Sequence, residues 1–437
     1  MGNLPVGPFR RITSHRWRCD VETSIFCFPV DFADGIDRVL EDVVSAGIGG
    51  VTVAAAYHSA RDYLPHNSSR RVHYSPAGIS FHSDASRYPA QPSPHPLLAV
   101  CAGRDLLRDV VDAAAALRLK TNAWVVYLHY DAEPASVGDG TGFVQNAFGD
   151  VCPVALCPAS PATRLYVEQL TAEVCERRPN SILAEALHYM PFDHDYHHER
   201  SFAPLGELAK LLLSFCFCPD CRRAGADSGL DMDAIASWIR RMVDSPDEGA
   251  AGSALDREAL CAYADQVLGD TVLERYLRLR ELHVHGVITA CRAVAESFGI
   301  PFCFLDVSIA LSEADGGRGA LARSWELGVA RDTVAAGGEF VTALYVRDST
   351  RFSECLDTLT AHLGRPPDGA VIRPMAIDSP NMLTLLEKRE TLIGRGVNWV
   401  GYYHYGLMER KLLRESVAPS LIPRSESPHT RQIQRRS

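Results

Sequence analysis

Short runs of β-branched and apolar residues recur along the chain between longer stretches whose apolar positions repeat at helical spacing. This alternation predicts parallel βα units. Strands are expected at residues 18–26, 50–55, 121–126, 181–184, 301–305, 340–344, 370–373 and 399–403. Helical periods fall at residues 36–46, 104–117, 161–177, 257–298, 320–336, 351–363 and 382–395. Several of them run into a glycine ahead of the next strand (Gly47, Gly299, Gly337, Gly396), the residue that most readily takes the left-handed backbone at a helix end. Eight strands with intervening helices are the number for a closed (β/α)8 TIM barrel, an α/β fold.

The connections are unequal in length. Segments 58–98, 128–160 and 185–254 follow the second, third and fourth strands and are too long for plain turns. All three leave the C-terminal ends of their strands, where barrel enzymes assemble their sites. The expected organisation is an extension over residues 1–14, a barrel over 15–415 that carries an insertion at about 185–254, and a polar, basic tail at 416–437 that reads as disordered.

Composition narrows the partners. With 46% hydrophobic and 22% charged residues in 437, the chain can bury a large core, and a formal net charge of -10 disfavours nucleic acid or an anionic membrane. No run of about 18 apolar residues suggests a spanning helix, and the first residues contain no apolar stretch ahead of a cleavage site. A cytoplasmic protein acting on a small neutral or cationic molecule is expected, with a homo-oligomer left open. No dinucleotide fingerprint, P-loop, nucleophile elbow or H-E-x-x-H motif is present.

The most specific chemistry is a C-x-C-x-x-C array, Cys216, Cys218 and Cys221. Two short spacers can aim three sulfurs at one point, and tetrahedral Zn²⁺ takes sulfur at about 2.3 Å. In a reducing compartment a metal explains such a cluster better than a disulfide does. Among 13 cysteines the best remote fourth ligand is Cys157, set among turn residues in LCPASP, with Cys152 in reserve; the others outside the array read as small core hydrophobes. Four thiolates leave no open position, so the zinc is expected to be structural.

The order of these segments, CPASP at residues 157–161 with an arginine and a helix after it, then a strand ending near a glutamate, then the cysteine array, resembles the barrel of glycoside hydrolase family 42 and its uncharacterised glycosidase-like relatives. The resemblance spans roughly residues 15–240. It implies Cys157, Cys216, Cys218 and Cys221 as zinc ligands, Glu185 as the acid/base, and hydrolysis of a glycosidic bond in a carbohydrate. Two departures stand out. The family's Asn-Glu pair reads Ala184-Glu185 here, and its strand-seven glutamate nucleophile has only Asp378 as a counterpart.

Read from the residues themselves, Glu185 follows the apolar strand SILA, so it should sit at the barrel mouth with a raised pKa. Glycoside cleavage needs a second carboxylate. Asp306, at the end of strand five, is the first choice, followed by Asp378 and Asp348. Asp20 and Glu22 share a face of strand one, with Arg373 a conceivable partner. Residues after the strands that could hydrogen-bond or stack on a sugar are Tyr57, His58, His129, His188, His194, Glu199, Tyr345, Arg373, Tyr403 and His404, while Trp124 and Trp399 are assigned to the core. Two rivals remain: another TIM-barrel enzyme (lyase, isomerase or transferase) on a sugar-derived metabolite, or a carbohydrate-binding barrel without catalysis.

Overall fold

The computed structural model describes residues 21–67, 70–97, 101, 103–194, 200, 202–203, 205–245, 256–314 and 323–415. The expectations for Asp20, Glu199 and the 416–437 tail concern positions outside these residues.

Eight parallel strands form the frame: β1 (Glu22–Cys27), β2 (Gly50–Tyr57), β3 (Lys120–Val126), β4 (Ser181–Glu185), β5 (Phe302–Asp306), β6 (Glu339–Ala343), β7 (Gly369–Ile372) and β8 (Trp399–Tyr402). Each pairs with its sequence neighbours, and β1 pairs with both β2 and β8, so the sheet closes into a (β/α)8 barrel. Each expected strand is present, with ends that differ by a few residues; the expected start of the first, residues 18–20, lies outside the described residues. Their β-branched and small apolar residues suit strands buried on both faces, and β2 and β5 are almost wholly buried. Inside the barrel Gly401 leaves room for rings. A Cβ there would come within 2.5 Å of the Trp399 indole and 2.8 Å of Phe26.

Polar capping fixes the surrounding helices. Asp105, Asp231, Asp256, Asp348 and Asn381 each accept a hydrogen bond from a backbone N–H in the first turn of the helix that follows. Two helical expectations need correction. The period over residues 257–298 is two helices, Arg257–Leu268 and Val272–Ser297, because the chain reverses through Gly269 at φ 93° and Thr271 at φ 63°. In the 320–336 stretch the described helix is only Arg331–Ala336.

The residues after β4 build a second core. Leu212, Ile235, Trp238 and Ile239 pack there with Tyr276 and Leu277 of the long Val272–Ser297 helix, and the cysteine array lies between this core and the barrel. Among the described residues no helix is long and apolar enough to cross a membrane.

Candidate active site

Inward-facing positions of β1 to β4 carry a polar ladder that ends in a carboxylate. Near the strand starts Ser24 and Thr52 hydroxyls lie 2.7 Å apart, Asn122 donates to Thr52 over 3.1 Å, and Ser181 donates to Asn122 over 2.8 Å. One pleat higher Trp124 fills the interior against Phe26, Phe28, Tyr57 and Tyr403. At the top of β4 stands Glu185, whose Oε2 accepts from Trp124 Nε1 at 2.7 Å. Burial raises the Glu185 carboxyl from 4.5 to about 7, with the Trp124 hydrogen bond and nearby His129 pulling the other way.

Three tyrosines from three strand ends converge on this carboxylate. Tyr57 and Tyr403 hydroxyls are 3.5 Å apart, and the rings of Tyr345 and Tyr403 are 5.7 Å apart. Burial raises all three phenols, and the Glu185 charge adds to that rise in each, so they remain neutral donors. Arg373 lays its guanidinium 4.2 Å from the Tyr345 ring and pairs with Asp378. Asp378 and Glu185 therefore both lie within electrostatic reach of Tyr345.

The other acids are committed. Asp306 is buried, accepts from Arg331 Nε at 2.8 Å and from the Ser308 hydroxyl at 2.6 Å; burial raises its carboxyl, and these partners outweigh burial and hold it below its ordinary value. Asp348 caps the Ser349–Leu363 helix. Glu22 pairs with Lys120 at the opposite end of the barrel, not with Arg373. Asp62 was not foreseen, since it lies in a hairpin after β2 rather than at a strand end. It is buried, its carboxyl is raised by burial to about 6, and its charge reaches Tyr403.

Histidines line the side toward β2 and β3. His58 and His129 rings stack with centroids 4.3 Å apart, and His194 approaches His129 at 6.2 Å. Burial, reinforced by His129, lowers His58 to about 3 and His194 to about 4, so both are neutral bases. His129 Nε2 lies 3.1 Å from Asp131 Oδ1. A small hollow of about 20 Å³, lined by Tyr57, His95, His129 and Tyr130, opens beside them. A larger one, about 310 Å³, lies where the strands begin, between Glu22, Arg118, Lys120 and Trp399, far from Glu185. His404 is set apart. It is fully buried, stacks on Phe28 at 3.8 Å and accepts at Nδ1 from the Gly406 N–H.

The four cysteines Cys157, Cys216, Cys218 and Cys221 come together, all buried. Cys157 Sγ is 3.5 Å from the sulfurs of Cys218 and Cys221 and 3.7 Å from that of Cys216. A tetrahedron with zinc–sulfur bonds of about 2.3 Å has edges of about 3.8 Å, so the donor set fits Zn²⁺ closely. Tyr189 OH stands 3.6 Å from Cys221 Sγ and 3.1 Å from His283 Nδ1. Beside it Arg280 is buried between the Tyr189 and Phe215 rings, 4.4 and 4.6 Å from their centroids, and its nitrogens have no hydrogen-bond partner among the described residues. A buried cation without a hydrogen-bonded anion is costly unless a charge lies nearby. Four thiolates around Zn²⁺, net negative by two, would supply that charge.

No family model matches the sequence, and no curated protein matches it. Solved structures do. The catalytic domain of a β-amylase from Paenibacillus polymyxa aligns at TM-score 0.53 and 10% identity over 92% of this chain and 99% of that one. The PgaB (BpsB) glycoside hydrolase domain from Bordetella bronchiseptica aligns at TM-score 0.54 and 11% identity over 91% and 99%. At such identities the likeness is one of architecture, and it places this chain among the (β/α)8 barrels.

Proposed function

We propose that the protein is a glycoside hydrolase-like enzyme in which Glu185 donates the proton to the departing glycosidic oxygen. The observation that carries this reading is the Glu185 carboxyl itself, raised to about 7 at a strand end among three tyrosines and Trp124. A general acid works best with its pKa near the operating pH. The neighbours with solved structures, a β-amylase and a glycoside hydrolase domain, support the same class.

In this reading Tyr57, Tyr345 and Tyr403 stack on or hydrogen-bond the sugar, and His58, His129, His188, His194 and Arg373 bind its hydroxyls. Asp378, kept close by Arg373, serves as the second carboxylate, with Asp306 the reserve. Zn²⁺ at Cys157, Cys216, Cys218 and Cys221 supplies structure, since four thiolates close its shell. Through Tyr189 that centre steadies the loop that begins at Glu185. The resemblance to glycoside hydrolase family 42 agrees with this division of roles.

A panel of aryl glycosides assayed with wild type and Glu185→Gln tests the reading. Turnover of at least one glycoside, lost by roughly a hundredfold or more in the variant, is the expected result. Equal turnover by both proteins contradicts it. A second reading, a lyase or isomerase on a sugar-derived metabolite, is favoured by the commitment of Asp306 and Asp378 to arginines. It predicts conversion of a free sugar derivative and none of the aryl glycosides.

A further inference from the structure

We propose that His58, His129 and Asp131 form a second metal site, open to solvent and selective for a first-row divalent cation, beside Glu185 at the barrel mouth. The three residues come from the loops after β2 and β3 and offer ligand atoms that all lie within 4.8 Å of one another. His129 Nε2 and Asp131 Oδ1 are a hydrogen-bonded pair 3.1 Å apart that an ion replaces, and because the His58 and His129 rings stack at 15°, binding turns the His129 ring out of the stack to aim its nitrogen at the ion.

Ser59 organises the set. Its carbonyl accepts from His58 Nδ1 at 2.8 Å, which turns the Nε2 lone pair outward. Its amide and hydroxyl donate to Asp131 Oδ2 at 2.7 and 2.6 Å, leaving Oδ1 for an ion. Metal-binding histidines characteristically give their second ring N–H to a carbonyl or carboxylate, and bound carboxylates are themselves hydrogen-bonded. His188 repeats the device. Its Nδ1 donates to the Tyr189 carbonyl at 2.9 Å, its Nε2 is buried with no partner among the described residues, and it lies within electrostatic range of His129.

Two imidazoles and a carboxylate suit Zn²⁺, Mn²⁺, Fe²⁺ or Co²⁺, and three protein ligands leave positions for water or for two adjacent sugar hydroxyls. This differs in kind from the closed cysteine centre.

The test is Co²⁺ titration of the full-length protein after chelator treatment, followed by absorption. Cobalt in the cysteine centre gives an intense near-ultraviolet thiolate charge-transfer band; cobalt on His58, His129 and Asp131 gives weak visible bands with no such companion. Wild type should show the second class. His129→Ala with Asp131→Asn should lose it, and Ser59→Ala, a positioning change, should weaken it roughly tenfold. Should the double variant misfold, His58→Ala alone, with its melting point checked, serves the same purpose. Absence of the weak bands in wild type, or uptake by His58→Ala and His129→Ala as tight as wild type, overturns the proposal. The readout is metal uptake, so it decides independently of the bond on which Glu185 acts and of the fate of the cysteine centre.

Discussion

The indole of Trp124 donates to the Glu185 carboxylate across 2.7 Å, from the strand next door. A tryptophan buried in a barrel interior is ordinarily packing, yet here its one polar atom ends on the proposed proton donor. A hydrogen bond to the ionised form favours ionisation, so Trp124 restrains a pKa that burial drives upward. Trp124→Phe keeps most of the ring and removes the donor. The alkaline limb of kcat/KM should move up by roughly one pH unit, with activity reduced roughly tenfold. A pH profile with an unmoved limb rules this coupling out.

Stability should carry the same signature. Glu185 keeps its proton in the native state up to about pH 7, whereas in the unfolded chain it loses it near 4.5. Its contribution is therefore complete below about pH 4.5 and is lost as the pH rises through about 7. Glu185→Gln stays neutral throughout, so it should melt above wild type near pH 8 and level with it near pH 4. Thermal melts at the two pH values check the sign.

Replacing Cys218 by Ser breaks the four-sulfur set. Zinc content, read by elemental analysis, should fall together with the melting temperature, by roughly 10 °C, the shift that several kcal/mol produces in a domain of a few hundred residues. Loss of zinc with unchanged melting contradicts a structural role.

Arg280 offers a sharper probe of charge in that centre. If its guanidinium balances four thiolates around Zn²⁺, Arg280→Met should speed zinc loss to a chelator by roughly ten- to a hundredfold and lower stability. If the sulfurs were neutral thiols, relief of a buried cation would raise the melting temperature instead. Chelator competition and a thermal melt, run on one preparation, separate the two.

The barrel was legible because β-branched runs and helix-ending glycines mark its strands locally, and the cysteine centre because three ligands share one turn. The strand-end position of Glu185 followed from the apolar run before it. What escaped depends on contacts between distant segments. Trp124 reads as core until the neighbouring strand brings Glu185 to its indole, and Asp306 reads as a free carboxylate until Arg331, 25 residues away, closes on it. The turn at Gly269 hides inside an uninterrupted helical period. His58 and Asp131, far apart in sequence, come together where both hydrogen-bond to Ser59.

Closure of the ring through Glu22–Ile25 against Trp399–Tyr402 sets the order of events during synthesis. Until residue 402 has left the ribosome, β1 lacks one neighbour and β7 stands as an open edge able to pair with other nascent chains. The eighth strand is the rivet: without it β1 and β7 would each present an unpaired edge open to another chain.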